Sequence, residues 1–216
     1  MINLIIHGPT GKFGKTIINS LHNNSNIKYV GYIDRFTNYQ LFFNNLASIS
    51  NIVLLDITSD IGCYFLLKNL IENKIYYPLV IGSTGDLPFD LIKEYSIHAQ
   101  VAQISNFSDG ITNILNILPQ INLPDSNIKI FETHHTEKKD APSGTAKTLA
   151  DKIKLSHSKI FSAREGDVYG IHEIIYENDN EKITIIHESK NRNIFAFGCI
   201  KWIEKIITLE KGLYQN

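Results

Sequence analysis

Two imidazoles, two ammonium groups and a helix start lie within one short stretch, Glu132-Thr-His-His-Thr-Glu-Lys-Lys-Asp-Ala-Pro-Ser-Gly-Thr-Ala146. An imidazole titrates near neutral pH, so His134 or His135 can hold or release a proton, and Lys138 or Lys139 can place a positive charge beside it. Ile128, Ile130 and Glu132 alternate with Lys129 and Phe131, which predicts a strand with both histidines at or just past its end. Pro142-Ser143-Gly144-Thr145 then opens a helical period at Ala146, Leu149, Ala150 and Ile153, with Ser143 or Thr145 able to cap it. The unpaired N–H groups and positive dipole end of such a helix favour an anion, a carboxylate or a phosphate. A metal centre fits poorly, because adjacent histidines point different ways from extended backbone and neither Cys63 nor Cys199 is near them in sequence.

A second constellation opens the chain. Asn3–His7 reads as a buried strand, followed by Gly8-Pro9-Thr10-Gly11-Lys12-Phe13-Gly14 and then helical spacing at Ile17, Ile18 and Leu21. Glycines in a strand-turn-helix unit let the backbone approach a pyrophosphate whose charge rests on the helix N-terminus. The spacing is G-x-x-G-x-x-G, and Pro9 removes one N–H, so a plain tight turn is the alternative for this motif taken alone. The next strand, Tyr29–Ile33, ends in Asp34-Arg35, about 20 residues past Gly14, where a dinucleotide fold sets an acid on the adenine ribose.

These groups need scaffolding, and the chain supplies it. Its 216 residues are 43% hydrophobic and 20% charged, ordinary for a globular protein of one large or two small domains. A formal net charge of -1 gives no general attraction to nucleic acid or anionic membrane, so the expected partner is a small molecule. The two cysteines form no C-x-x-C pair, the Leu4-Ile5-Ile6 run is too short for a signal peptide, and no stretch approaches a membrane span; the expected location is the cytoplasm. Apolar runs at Val53–Ile57, Leu79–Ile81 and Val101–Ile104 alternate with helical patterns around Phe65–Ile71 and Phe89–Tyr95, which predicts a parallel, doubly wound sheet. The runs end in polar loops at Thr58-Ser59-Asp60, Gly82-Ser83-Thr84-Gly85 and Ser105-Asn106-Phe107-Ser108, and loops of this kind line a ligand crevice. Past Asn106 a helix near Ile111–Leu118 and alternating segments at Ile128–Glu132, Ile171–Tyr176 and Ile183–His187 predict a second, mostly antiparallel α+β domain, with a closing helix in Phe195–Lys211.

The His-His string resembles the H-H-x-x-K-x-D-x-P-S-G-T-A signature of the 4-hydroxy-tetrahydrodipicolinate reductases, a family of lysine and diaminopimelate biosynthesis. Gly82-Ser83-Thr84 is similar to that family's G-T-T-G segment by the nicotinamide, and Ile104-Ser105-Asn106-Phe107 to its A-x-N-F segment. Arg164-Glu-Gly-Asp-Val-Tyr-Gly-Ile-His172 matches its R-x-G-x-x-G-x-H stretch, so the likeness runs from Gly8 to Tyr214. It implies His134 as acid/base, Lys138 as proton donor, His135 as a substrate contact, and Ser143, Gly144 and Thr145 at a carboxylate cradle. It implies an NADH- or NADPH-binding surface made of Gly8–Gly14, Asp34, Arg35, Gly82, Ser83, Thr84 and Ile104–Phe107.

The expected architecture is a Rossmann-type domain of residues 1–106 and 193–216 and a substrate-binding and oligomerisation domain of residues 107–192, with a dicarboxylate substrate in a closing cleft; the resemblance adds a homotetramer. The first domain is short, with only Phe36–Asn51 between the ribose pair and the next strand, and Asp109 stands where the family has an uncharged residue. Two other readings are another two-domain NAD(P)-dependent reductase of amino-acid metabolism, which should lack the His-His string, and a nucleotide-sensing protein without turnover.

Overall fold

The structure, a computed structural model, describes residues 1–22, 24–191 and 193–215. The chain divides into one unit of residues 1–107 and 195–216 and another of residues 108–194. The first runs through β1 (Ile2–His7), α1 (Lys12–Leu21), β2 (Ile27–Ile33), α2 (Tyr39–Asn45), β3 (Ile52–Asp56), α3 (Asp60–Glu72), β4 (Leu79–Ile81), α4 (Phe89–Ser96) and β5 (Gln100–Gln103). The second carries α5 (Asp109–Ile117), β6 (Asn127–His134), α6 (Gly144–Lys152), β7 (Ile160–Arg164), β8 (Ile171–Glu177) and β9 (Lys182–Glu188). The described chain closes with α7 (Asn193–Ile206) and β10 (Gly212–Gln215).

The first unit holds a parallel sheet in the order β10-β5-β4-β3-β1-β2. Its central strands are apolar over most of their length, with Asp56 and His7 at the ends of β3 and β1, because helices cover both faces. Leu4, Ile6, Val53 and Leu55 pack with Ile17 of α1 and Cys199 and Ile203 of α7, whereas Ile5, Leu54 and Leu79 face Leu66 and Leu70 of α3 and Tyr95 of α4. Each such fully buried aliphatic side chain contributes roughly 1.5–3 kcal/mol of transfer free energy. α3 starts earlier than its apolar spacing predicts, since Ser59 Oγ accepts from the Gly62 N–H at 3.1 Å and caps it. The short segment after Asp34 still forms a helix, α2, capped by Asn38 and buried through Tyr39 and Phe43.

The second unit has a four-stranded sheet in the order β7-β6-β8-β9, with β6 parallel to β7 and the other two pairs antiparallel. The sequence pattern did not predict β7: only Ile160 of its five residues is buried, so it carries no alternation to read. One sheet face packs Ile130, Ile160 and Ile174 on α5 and α6. Asp109, the residue that departs from the resembling pattern, is the first residue of α5, behind the capping Ser108, where a carboxylate meets the positive end of the helix dipole.

Candidate active site

In the first unit the glycine turn joins β1 to α1. Gly8 has φ +100, and a Cβ on Gly14 would stand 2.5 Å from the Gly8 carbonyl oxygen, so the turn admits no side chain at either end. Gly11 is the N-cap of α1 and makes no side-chain cap hydrogen bond. Gly8, Pro9, Thr10, Asp34 and Arg35 line one cavity of about 320 Å³ together with His7, Tyr32, Phe36 and Thr58. Lys12 and Phe13 open α1, and the Phe13 ring lies 5.9 Å from that of Phe107. Asp34 Oδ1 accepts from the Phe36 N–H and the Thr37 hydroxyl, and the Arg35 guanidinium lies 4.8 Å above the Phe36 ring.

The Gly82 and Phe107 segments meet: a Cβ on Gly82 would stand 2.6 Å from the Phe107 ring, which is itself buried with Ile104 in the core. Ser83 is buried, and its hydroxyl donates to Asp56 Oδ2 at 2.6 Å, whereas Thr84 is exposed. Ser105 and Asn106 are half-buried on the link between them. Asp56 ends β3 wholly buried, and it also bonds His7 Nδ1 at 2.8 Å and accepts from Thr58 Oγ1 at 2.7 Å. It ties the ends of β1, β3 and β4 together, a role that its place inside the apolar run Val53–Ile57 does not reveal. These residues fit a dinucleotide: the glycine turn and the Asp34-Arg35 pair share the cavity, and the turn leads directly into the N-terminus of α1.

In the second unit β6 ends at His134, which is 7% exposed. Its Nδ1 is hydrogen-bonded to Glu132, two residues earlier on the same face. Arg164, at the end of β7, donates through Nη1 to Glu132 Oε2 and through Nη2 to Oε1, each at 3.0 Å. Burial pushes the Glu132 carboxyl up, but the hydrogen bonds from His134 and Arg164 outweigh it and hold it at about 2. A Cβ on Gly170, which has φ +149, would stand 3.0 Å from His134 Nε2, so the glycine keeps that nitrogen's surroundings open.

The loop that follows carries half-buried His135 and Lys138 and exposed Lys139. Lys138 Nζ pairs with Asp140 at 2.8 Å; burial raises the Asp140 carboxyl, and the Lys138 ammonium overcomes this and lowers it. Ser143, not Thr145, is the N-cap of α6, its Oγ accepting from the Ala146 N–H at 3.2 Å. Gly144 and Thr145 form the first turn, and a Cβ on Gly144 would meet nothing within 4 Å. His172 on β8 lies opposite Glu132, with its Nε2 3.3 Å from Ser143 Oγ. Burial pushes its imidazole down to about 3, with His134 and His187 adding to the effect.

His134, Lys138, Ser143 and Gly144 therefore share one neighbourhood with Glu132, Arg164, Gly170 and His172, residues that lie in the motifs read from the sequence but carry no site role there. The Glu132-to-His134 spacing was a usable signal; the Arg164 contact was not. A proton-holding imidazole beside an ammonium and a helix start can bind a carboxylate and protonate what is attached to it. Among the described residues no cluster of His, Cys, Asp or Glu could hold a metal ion, and no helix is long and apolar enough to cross a membrane.

Comparison with known proteins bears on this arrangement. The family described as dihydrodipicolinate reductase, N-terminus, matches residues 2–107, and its C-terminus counterpart matches residues 107–216. The 4-hydroxy-tetrahydrodipicolinate reductase of Campylobacter lari is 34% identical over 242 residues, covering 100% of this chain and 97% of the relative. The Rickettsia bellii protein of the same name is 32% identical over 239 residues, covering 100% and 93%. A dipicolinate-bound dihydrodipicolinate reductase from Paenisporosarcina sp. TG-14 shares the fold, with a TM-score of 0.78 at 23% identity over 100% of this chain and 98% of that one.

Proposed function

The chain belongs to the dihydrodipicolinate reductase family, and from that premise we propose how its residues divide the reaction among themselves. It is an oxidoreductase that reduces 4-hydroxy-tetrahydrodipicolinate, by way of dihydrodipicolinate, to tetrahydrodipicolinate in lysine and diaminopimelate biosynthesis. Its cofactor is a nicotinamide dinucleotide, which supplies the hydride when bound.

The first unit is the dinucleotide-binding domain in this reading. Gly8–Gly14 and the start of α1 hold the pyrophosphate, and Asp34 and Arg35 hold the adenine ribose. Gly82, Ser83 and Thr84, with Ile104–Phe107, line the nicotinamide end. Asp34 accepts from ribose hydroxyls and repels a 2′-phosphate, whereas Arg35 attracts one, so the pair supports use of both NADH and NADPH.

The second unit binds the substrate. One carboxylate rests on the α6 start at Ser143, Gly144 and Thr145, with His135 beside it. Hydride addition to the conjugated imine leaves an enamine that needs a proton. His134 provides it from Nε2, and Lys138 assists with its ammonium. The observation that carries this reading is the placement of His134, buried, its Nδ1 engaged by Glu132 and its Nε2 beside side-chain-free Gly170. The same reading includes a cytoplasmic homotetramer built on the outer face of the second sheet. There Phe131 and Phe161 stack at 5.0 Å and Ile186 is 60% exposed, a patch that association would bury.

The test is the loss of NADH or NADPH absorbance with freshly made substrate, comparing wild type with His134→Gln. A loss of kcat of about 10²-fold or more is expected. A variant with wild-type kcat would remove His134 from the reaction, and a wild type that binds cofactor without turnover would favour a sensing role.

A further inference from the structure

His134 has two nitrogens, and the reaction needs the proton on the one that meets substrate. Glu132 decides which that is. Its side chain is wholly buried, and every partner found for it is a donor or can be one. Arg164 takes both oxygens, the Ser143 N–H reaches Oε1 at 3.2 Å, and the His134 ring reaches Oε2 through Nδ1. A carboxylate held ionised by such a set accepts only, so the hydrogen shared with the ring belongs to Nδ1. That leaves Nε2, the nitrogen facing Gly170, as the atom whose proton comes and goes.

Arg164 extends the clamp to the neighbouring loop. Its Nε donates to the Lys138 carbonyl at 3.2 Å and its Nη2 to the Asp140 carbonyl, while the parallel register sets Arg164 beside His134. One guanidinium thus fixes the partner of the ring and the backbone that carries Lys138. His172 stands close to the ring, its centroid 5.1 Å from that of His134, and His172 in turn feels the charges of His187 and Lys138.

We propose that Glu132, clamped by Arg164, is a positioning residue for the reduction: it holds His134 in the Nδ1–H form so that Nε2 alone exchanges protons with the substrate. The proposal rests on the reading of His134 as the acid. In the step it serves, the enamine electron pair takes the Nε2 proton, a C–H bond forms, and the N–H electron pair stays on Nε2. The ring is then neutral with its hydrogen on Nδ1, still bonded to Glu132. Solvent can reprotonate Nε2 without a tautomer exchange.

The experiment combines 15N NMR of histidine-labelled protein with kinetics of Glu132→Gln, Glu132→Asp and His134→Gln across pH. In wild type at high pH, His134 should show a protonated Nδ1 and a bare Nε2. Glu132→Gln should shift the ring towards the Nε2–H form and lower kcat by roughly 10- to 100-fold, the order seen when an outer partner that orients a functional histidine is lost. KM should stay within about threefold, because no substrate contact is removed. Glu132→Asp should recover part of the rate. A wild-type ring protonated on Nε2 overturns the proposal with no variant needed. So does Glu132→Gln with wild-type kcat while His134→Gln is inactive, an outcome that leaves the acid assignment standing. Wild-type kcat in His134→Gln removes that assignment and the proposal with it.

Discussion

Acid should destabilise this protein in a way that can be traced to His172. Its ring is 3% exposed on β8, with Nδ1 buried and without a hydrogen-bond partner. Burial pushes it down to about 3 from an ordinary 6.5. The folded state therefore keeps it neutral at pH 5, whereas the unfolded chain takes up a proton as pH falls through 6.5. A depressed value means stability is complete above 6.5 and is lost progressively as pH falls from there towards 3. Each pH unit in that window costs about 1.4 kcal/mol, so going from pH 7.5 to 5 costs about 2 kcal/mol. The assay is urea unfolding at those two pH values and one protein concentration, for wild type and His172→Gln. The substitution has its own packing cost, but that cost is common to both pH values and cancels in the difference. Burial also pushes His187 down, and Glu132 titrates mostly below this window; both remain in the variant and cancel too. Wild type should lose about 2 kcal/mol more than the variant on acidification. Equal losses would refute the buried neutral imidazole.

The other expectations concern ligands. Lys138→Ala should lower kcat by about 10²-fold, with Lys139→Ala near wild type, because Lys138 is half-buried in the site loop and Lys139 is exposed; equal losses would undo the assignment. Gly144→Val should fold normally, since a Cβ there meets open space, and should raise KM for the dicarboxylate with NADH binding unchanged by calorimetry. Arg35→Ala should weaken NADPH several-fold and leave NADH alone. Asp34→Asn, which keeps an acceptor for the turn at Phe36 and Thr37, should weaken NADH and relieve NADPH. Equal weakening of both cofactors by Arg35→Ala would make it only a loop charge.

Much of the protein was legible before folding was considered. Period and punctuation are local, so Gly8–Gly14 announced a strand-turn-helix unit, Pro142–Thr145 a helix start, and the alternation at Ile128–Glu132 a strand ending in histidine. Glu132 and His134 lie two apart on one strand, so even their shared face was implicit. What the sequence order could not decide was which strands lie side by side and in which register. β7 has almost no alternation, so Arg164 reaches Glu132, 32 residues away, only because β7 pairs with β6 in a particular parallel register. His172 stands opposite Glu132 through the antiparallel register of β6 and β8, and Asp56 gathers His7 and Ser83 from two other strands. A slip of one residue in a strand turns each side chain to the opposite face. Register follows from packing the whole apolar face of a sheet, and for that reason the sequence alone indicated which groups could do the chemistry, while the tertiary structure settled which of them hold the others in place.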